Sequence, residues 1–141
     1  MAITQALCTS FKQQVMQGDH DLDNDTIKMA LYTSSATLDA TTTAYSATNE
    51  VSGTNYTAGG VTLSGGSVTV DGTTAIVDFT DAVFSDVSIT ARGALIYNSS
   101  ATNTNAAICV LDFGADKTAT DGDFTVIFPA AAAGTAIVRI A

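Results

Sequence analysis

Two apolar runs on either side of a polar link constrain this chain more than anything else in it. They are Ile89-Thr-Ala-Arg-Gly-Ala-Leu-Ile-Tyr97 and Ala106-Ala-Ile-Cys-Val-Leu-Asp-Phe113, joined by residues 98–105. Each run is too short for an ordinary globular helix, is rich in strand formers and is bounded by turn residues, so the pair is predicted to form a hairpin. Leu95 and Tyr97 fall on one face of the first strand and Ala94 and Ile96 on the other. A strand apolar on both faces belongs in the middle of a sandwich or against a neighbour.

The rest of the chain supports one domain built around that hairpin. Its 141 residues suffice to bury roughly 68–70% of the unfolded surface. The net charge of −9, from 14 acidic against 5 basic residues, repels polyanions at long range and argues against nucleic-acid binding. Charged residues make up only 13% of the chain. Thr and Ser supply the polar faces instead, which suits pleated surfaces and close contact with other chains. The N-terminus lacks the basic region and continuous apolar core of a secretory signal. No apolar run approaches the roughly 20 residues of a membrane span. A soluble protein made in the cytoplasm is expected. Cys8 and Cys109 stand far apart and in no motif, so burial as small hydrophobes is the default.

Taken in order, Thr4 is expected to cap a helix running to about Gln17, with Gly18 as its stop. Leu7, Phe11 and Val15 form an apolar stripe that either covers the domain's own core or docks on a partner chain. An acidic loop, residues 19–25, leads to a strand at Thr26–Thr33 in which Ile27, Met29 and Leu31 share a face. Residues 34–60 turn to Thr, Ser, Ala, Asn and Gly, with Tyr45, Val51 and Tyr56 as sizeable anchors beyond Leu38. A connection of that length is expected to be a functional irregular arm. Strand signals return at Val61–Leu63 and Ser67–Val70, then follow the Asp71-Gly72 hairpin turn into Thr74–Phe79. Residues 81–87 read as a connector. Asp121-Gly122 reads as a turn into Phe124–Phe128, which Pro129 ends. Residues 135–141 close the chain as a strand.

About eight short strands, no βαβ rhythm and a single terminal helix predict an all-β fold. The expected architecture is an antiparallel two-sheet sandwich, jelly-roll-like, with residues 1–18 as the N-terminal helix and 19–141 as the β domain.

Catalytic, cofactor and metal sites are not expected. Asp19, Asp21 and Asp23 imitate the start of a calcium loop, but Asn24 stands where the sharp-turn glycine belongs and Ala30 where the bidentate glutamate belongs. His20 is the sole histidine and lies in that acidic loop, with no nucleophile placed beside it. Asp112-Phe113-Gly114 spells a magnesium-binding tripeptide of kinases without a phosphate loop to accompany it. The glycine-rich stretches lack the lysine and helix of a phosphate cradle. Arg92, mid-strand, is expected to pair at the surface with Asp78 or Asp112, or to contact another subunit.

The order of motifs resembles a known group. Gly18-Asp-His-Asp-Leu22, Thr26-Ile-Lys-Met-Ala-Leu-Tyr-Thr-Ser-Ser35, Tyr45 and Glu50-Val-Ser-Gly-Thr-Asn-Tyr56 come in sequence. Thr90-Ala-Arg-Gly-Ala-Leu-Ile-Tyr97, Leu111-Asp-Phe-Gly114 and Gly122-Asp-Phe-Thr-Val-Ile-Phe-Pro129 follow. Together they resemble small structural proteins of tailed-bacteriophage virions, of the head decoration, cement or tail-fibre-like kind. That resemblance implies a non-enzymatic protein of the virion, made in the host cytoplasm, that cements the capsid shell. Its implied partners are the major capsid protein and other copies of itself, as a dimer or trimer. A tail, baseplate or fibre-base adaptor is the alternative. A secreted carbohydrate-binding module would normally show exposed Trp or clustered Tyr and a signal peptide, and neither is expected here. The expected partner contacts are Leu7, Phe11 and Val15 of the stripe and Tyr45, Val51 and Tyr56 of the arm.

Overall fold

A computed structural model describes residues 2–102 and 104–141. Its elements are β1 (Ala6–Leu7), α1 (Thr9–Met16), β2 (Ile27–Tyr32), β3 (Val61–Thr62), β4 (Ser67–Asp71), β5 (Thr74–Asp78), β6 (Ala82–Asn98), β7 (Ala106–Val126) and β8 (Val138–Ile140). They form a five-stranded sheet in the order β1-β7-β6-β2-β3 and a three-stranded sheet in the order β4-β5-β8. All of these strand pairings are antiparallel. The fold is thus the expected all-β sandwich with one short helix; jelly-roll connectivity is a finer statement than this pairing order makes.

The hairpin read from the sequence is the centre of the larger sheet, and it is longer than expected. In β6, residues 93–98 are all buried, as are residues 106–111 of β7. β2 pairs with β6 along Ile27↔Asn98 to Tyr32↔Gly93, which makes β6 a central strand and explains its two apolar faces. Residues 81–87 are not a connector: from Ala82 onward they belong to β6, with Ala82, Phe84 and Val87 inward and Val83 outward. Nor is Asp121-Gly122 a turn. It lies within β7, where Asp121 takes φ 47° and Gly122 pairs with Val87. The left-handed backbone that a turn would use serves instead as a bulge opposite Asp86, itself at φ 53°. Side chains fasten the spot: Asp86 N donates to Asp123 Oδ1 at 3.1 Å and Asp121 N to Ser88 Oγ at 3.0 Å.

The helix starts later than the sequence suggests. Ala6↔Val110 and Leu7↔Cys109 pairing keeps residues 6–7 extended, and Cys8 N donates to Ile108 O at 2.9 Å. A residue held in a ladder cannot also be helical, so Thr4 is no cap; Cys8 occupies that position without a capping side chain. Gly18, at φ 79°, ends the helix as expected. The hairpin between β4 and β5 is present, one residue along from its expected position. Asp71 pairs with Thr74, leaving Gly72 (φ 63°) and Thr73 as the loop.

Residues 34–60 have no regular element but do not project. Val51 N donates to Leu31 O at 3.0 Å, Ala107 N to Thr43 O at 3.0 Å, Thr4 N to Leu38 O at 2.8 Å and Ser88 N to Thr54 O at 3.3 Å. The segment therefore lies along the sheet, tied to β2, β6, β7 and the N-terminal stretch. Ala36, Leu38 and Val51 are buried beneath it. At its end Gly60 (φ 79°) passes so close to β2 that any Cβ would overlap the Met29 carbonyl.

Candidate functional site

The six residues expected to meet a partner separate into two places. Tyr45 and Tyr56 converge on Glu50, the sole glutamate, and Val51 follows it in the chain. Tyr45 Oη donates to Glu50 Oε1 at 2.7 Å and Tyr56 Oη to Glu50 Oε2 at 3.1 Å, while Gly59 N donates to Oε2 at 2.8 Å. Tyr56 Oη also accepts from Leu31 N of β2 at 2.9 Å. The chain's other two tyrosines join in: Tyr97 Oη donates to Gly59 O at 2.7 Å and Tyr32 Oη to Ser46 O at 2.7 Å. The Tyr45 and Tyr97 rings stack at 4.9 Å. All four tyrosines thus anchor one segment to the sheet. Burial is the main cause that raises each of their pKa values, Tyr45 to about 12. Val51 is buried, and its N–H donates to Leu31 O of β2 at 3.0 Å.

What the knot holds in place is an uncharged surface. Residues 34–60 include just two charged groups, Asp39 and Glu50, and neither is among the exposed residues. Asp39 is turned onto its own loop, accepting from Thr41 N at 2.8 Å and Thr41 Oγ1 at 2.6 Å, bonds that lower its pKa. The exposed positions are Ser, Thr, Ala, Asn and Gly throughout. On a chain of net charge −9, that is a distinct patch.

Leu7, Phe11 and Val15 are brought together elsewhere. Phe11 is buried against the core, and Leu7 and Val15 are half-buried. They line one side of a trough between α1 and the three-stranded sheet. The opposite side follows from strand register. Val68, Val77 and Val138 align across β4, β5 and β8, and Val70, Ala75 and Ile140 align beside them, all on one face. Val77 and Val138 are covered, but Val70 is 71% exposed, Ile140 50% and the helix's Met16 88%. Sequence reading missed these three; the alternation of Val68 and Val70 before a hairpin turn was the available signal.

The acidic loop is committed to its own backbone. Asp21 Oδ1 accepts from Asp23 N at 3.2 Å, Asp25 Oδ2 from Asp21 N at 2.9 Å, and Asp23 Oδ1 from Val68 N at 2.7 Å. His20 Nε2 lies 2.9 Å from Gln14 Oε1 and Nδ1 lies 3.0 Å from Asn98 Nδ2. An amide nitrogen only donates, so Nδ1 accepts and Nε2 carries the proton: the neutral ring satisfies both. Burial lowers the His20 pKa against the opposing pull of Asp25 and Asp19. Arg92 Nε lies 3.6 Å from Asp112 Oδ1, at the partly exposed position expected for that ion pair. Both cysteines are free and buried. Among the described residues no helix is long and apolar enough to cross a membrane.

A scan against protein-family models and searches of curated proteins and of solved structures find no match for this chain.

Proposed function

We propose that this chain is a non-enzymatic structural protein of a tailed-bacteriophage virion, a cement or decoration protein that binds the shell of major capsid subunits. The observation that carries the reading is the fixed, uncharged surface of residues 34–60. An irregular segment that was merely a connection would need no such anchoring. Four tyrosines and a carboxylate hold this one in a single shape, which removes most of the ordering entropy that a flexible loop loses on binding. Its two carboxylates are partly covered and hydrogen-bonded within their own segment, so the patch meets another protein with little desolvation of ions, and the cores of protein interfaces are depleted in charge for the same reason. The ordered motifs that resemble phage virion proteins supply the kind of partner.

The test is co-sedimentation of the purified chain with shells assembled from the major capsid protein alone. Saturable binding in a fixed ratio to shell subunits is expected, and it weakens when Thr54→Lys and Thr57→Lys place charges on the exposed patch. Absence of binding to shells overturns the cement reading. Binding to tails in its place favours the adaptor alternative.

A further inference from the structure

We infer that the trough between α1 and the three-stranded sheet is the contact through which two copies of this chain pair about a two-fold axis. The pairing belongs to the isolated chain, so it stands or falls separately from shell binding, which the preceding reading assigns to residues 34–60.

The trough has an apolar floor, formed by Phe11, Val15 and Ile140, that continues through both of its parts. Exposed Met16 and Val70 extend that apolar area to solvent. Isolated apolar side chains on a surface are ordinary, but a helix stripe and a sheet face opening into one trough form a contiguous patch.

Charge at the two ends identifies the occupant. One part of the trough is bordered by Lys12 and Arg139, the other by Asp21 and Asp23. Among the described residues neither cation has a carboxylate within 4.0 Å. Among the described residues the Arg139 side chain donates to the Ala133 carbonyl alone, at 3.3 Å. A two-fold axis through the apolar floor sets the basic end of each copy against the acidic end of the other, which is the self-complementarity an isologous contact requires. Two chains of net charge −9 otherwise repel. A contact between copies must therefore bring cations to carboxylates, and the trough carries two of the chain's five basic residues. An acidic or a basic peptide would match one end and be repelled by the other.

Sedimentation velocity of the full chain over a concentration series tests this. A monomer–dimer equilibrium is expected. Met16→Gln with Val70→Thr, at exposed side chains, should weaken the dimer about tenfold or more without unfolding the chain. Lys12→Glu with Arg139→Glu should abolish it, and so should Asp21→Lys with Asp23→Lys. Mixing these two charge variants should restore a heterodimer, because every end then meets its opposite. A chain that stays monomeric throughout overturns the inference, as does a trimer or a dimer indifferent to the Met16 and Val70 changes. If the Asp21 and Asp23 variant loses its loop and fails to fold, the Met16 and Val70 variant decides alone.

Discussion

Tyr45 donates its hydroxyl hydrogen bond to Glu50 at 2.7 Å, five residues along a segment that belongs to no helix and no strand. The same carboxylate takes Tyr56 Oη and the Gly59 amide. One side chain thereby closes two loops of the segment onto each other and, through Tyr56 and Leu31, onto β2.

Glu50→Ala should therefore lower stability by about 2–3 kcal/mol, the scale of losing hydrogen bonds to a charged acceptor. Removing a negative charge from a chain of −9 would by itself relieve repulsion, so a loss isolates the hydrogen bonds. The midpoint of urea unfolding measures it. Limited proteolysis should at the same time cut the variant within 34–60 while leaving the parent chain intact. Unchanged stability together with unchanged cutting would remove the knot from this account.

Alkaline titration probes the same residues from another side. Burial raises the pKa of every tyrosine, Tyr45 to about 12, whereas in the unfolded chain each ionises at about 10. Above that pH the folded state holds more protons than the unfolded one, so stability is complete below about pH 10 and falls as pH rises past it. Tyrosinate absorbance should appear together with unfolding. Four tyrosines ionising near pH 10 in a chain of unchanged circular dichroism would contradict this.

Acid acts through His20. Its pKa is lowered by burial, with Phe11 packed on the ring at 4.9 Å and Asp19 and Asp25 opposing the shift. Below about 6.5 the unfolded chain takes up the proton first, so this contribution is present above that pH and is lost as pH falls. The NMR titration midpoint of His20 should lie below 6.5; a higher value would show that the nearby carboxylates win. Asn98 is fully buried and also donates to Asp25 Oδ2 at 2.7 Å, so Asn98→Ala should cost about 1–3 kcal/mol in a urea titration near neutral pH.

The thiols should be silent in the folded protein. Burial raises the Cys8 pKa to about 11 and that of Cys109 further, so little thiolate is present at neutral pH. A chromogenic disulfide reagent should modify neither cysteine until denaturant is added, and then both. Rapid reaction of either in native buffer would mean that the packing of β1 on β7 opens readily.

The central hairpin was legible because its signal is local: a run of apolar residues, a polar link and a second run. The length of β6 and β7 was not. Asp121-Gly122 has the composition of a turn, and nothing nearby distinguishes a left-handed residue in a turn from one in a bulge. The choice is made by Asp86 and Ser88, more than thirty residues earlier. The helix start failed for a similar reason, since Thr4 is a good cap locally but β7 claims residues 6–7 for its edge. The stripe Leu7, Phe11 and Val15 was correctly grouped, yet Phe11 is core and what lies across from it comes from β4, β5 and β8. Tyr45, Val51 and Tyr56 were recognised as anchors; that the two tyrosines share Glu50 as a partner depends on loop geometry that composition does not carry.

The proposal that this chain cements a phage shell is tested most directly by counting it in purified phage particles produced by cells that carry its gene. Quantitative mass spectrometry against the major capsid protein should find it in hundreds of copies per particle, in a fixed ratio to shell subunits. Its absence from particles would contradict the account, and a dozen copies or fewer would move it from the shell to the tail.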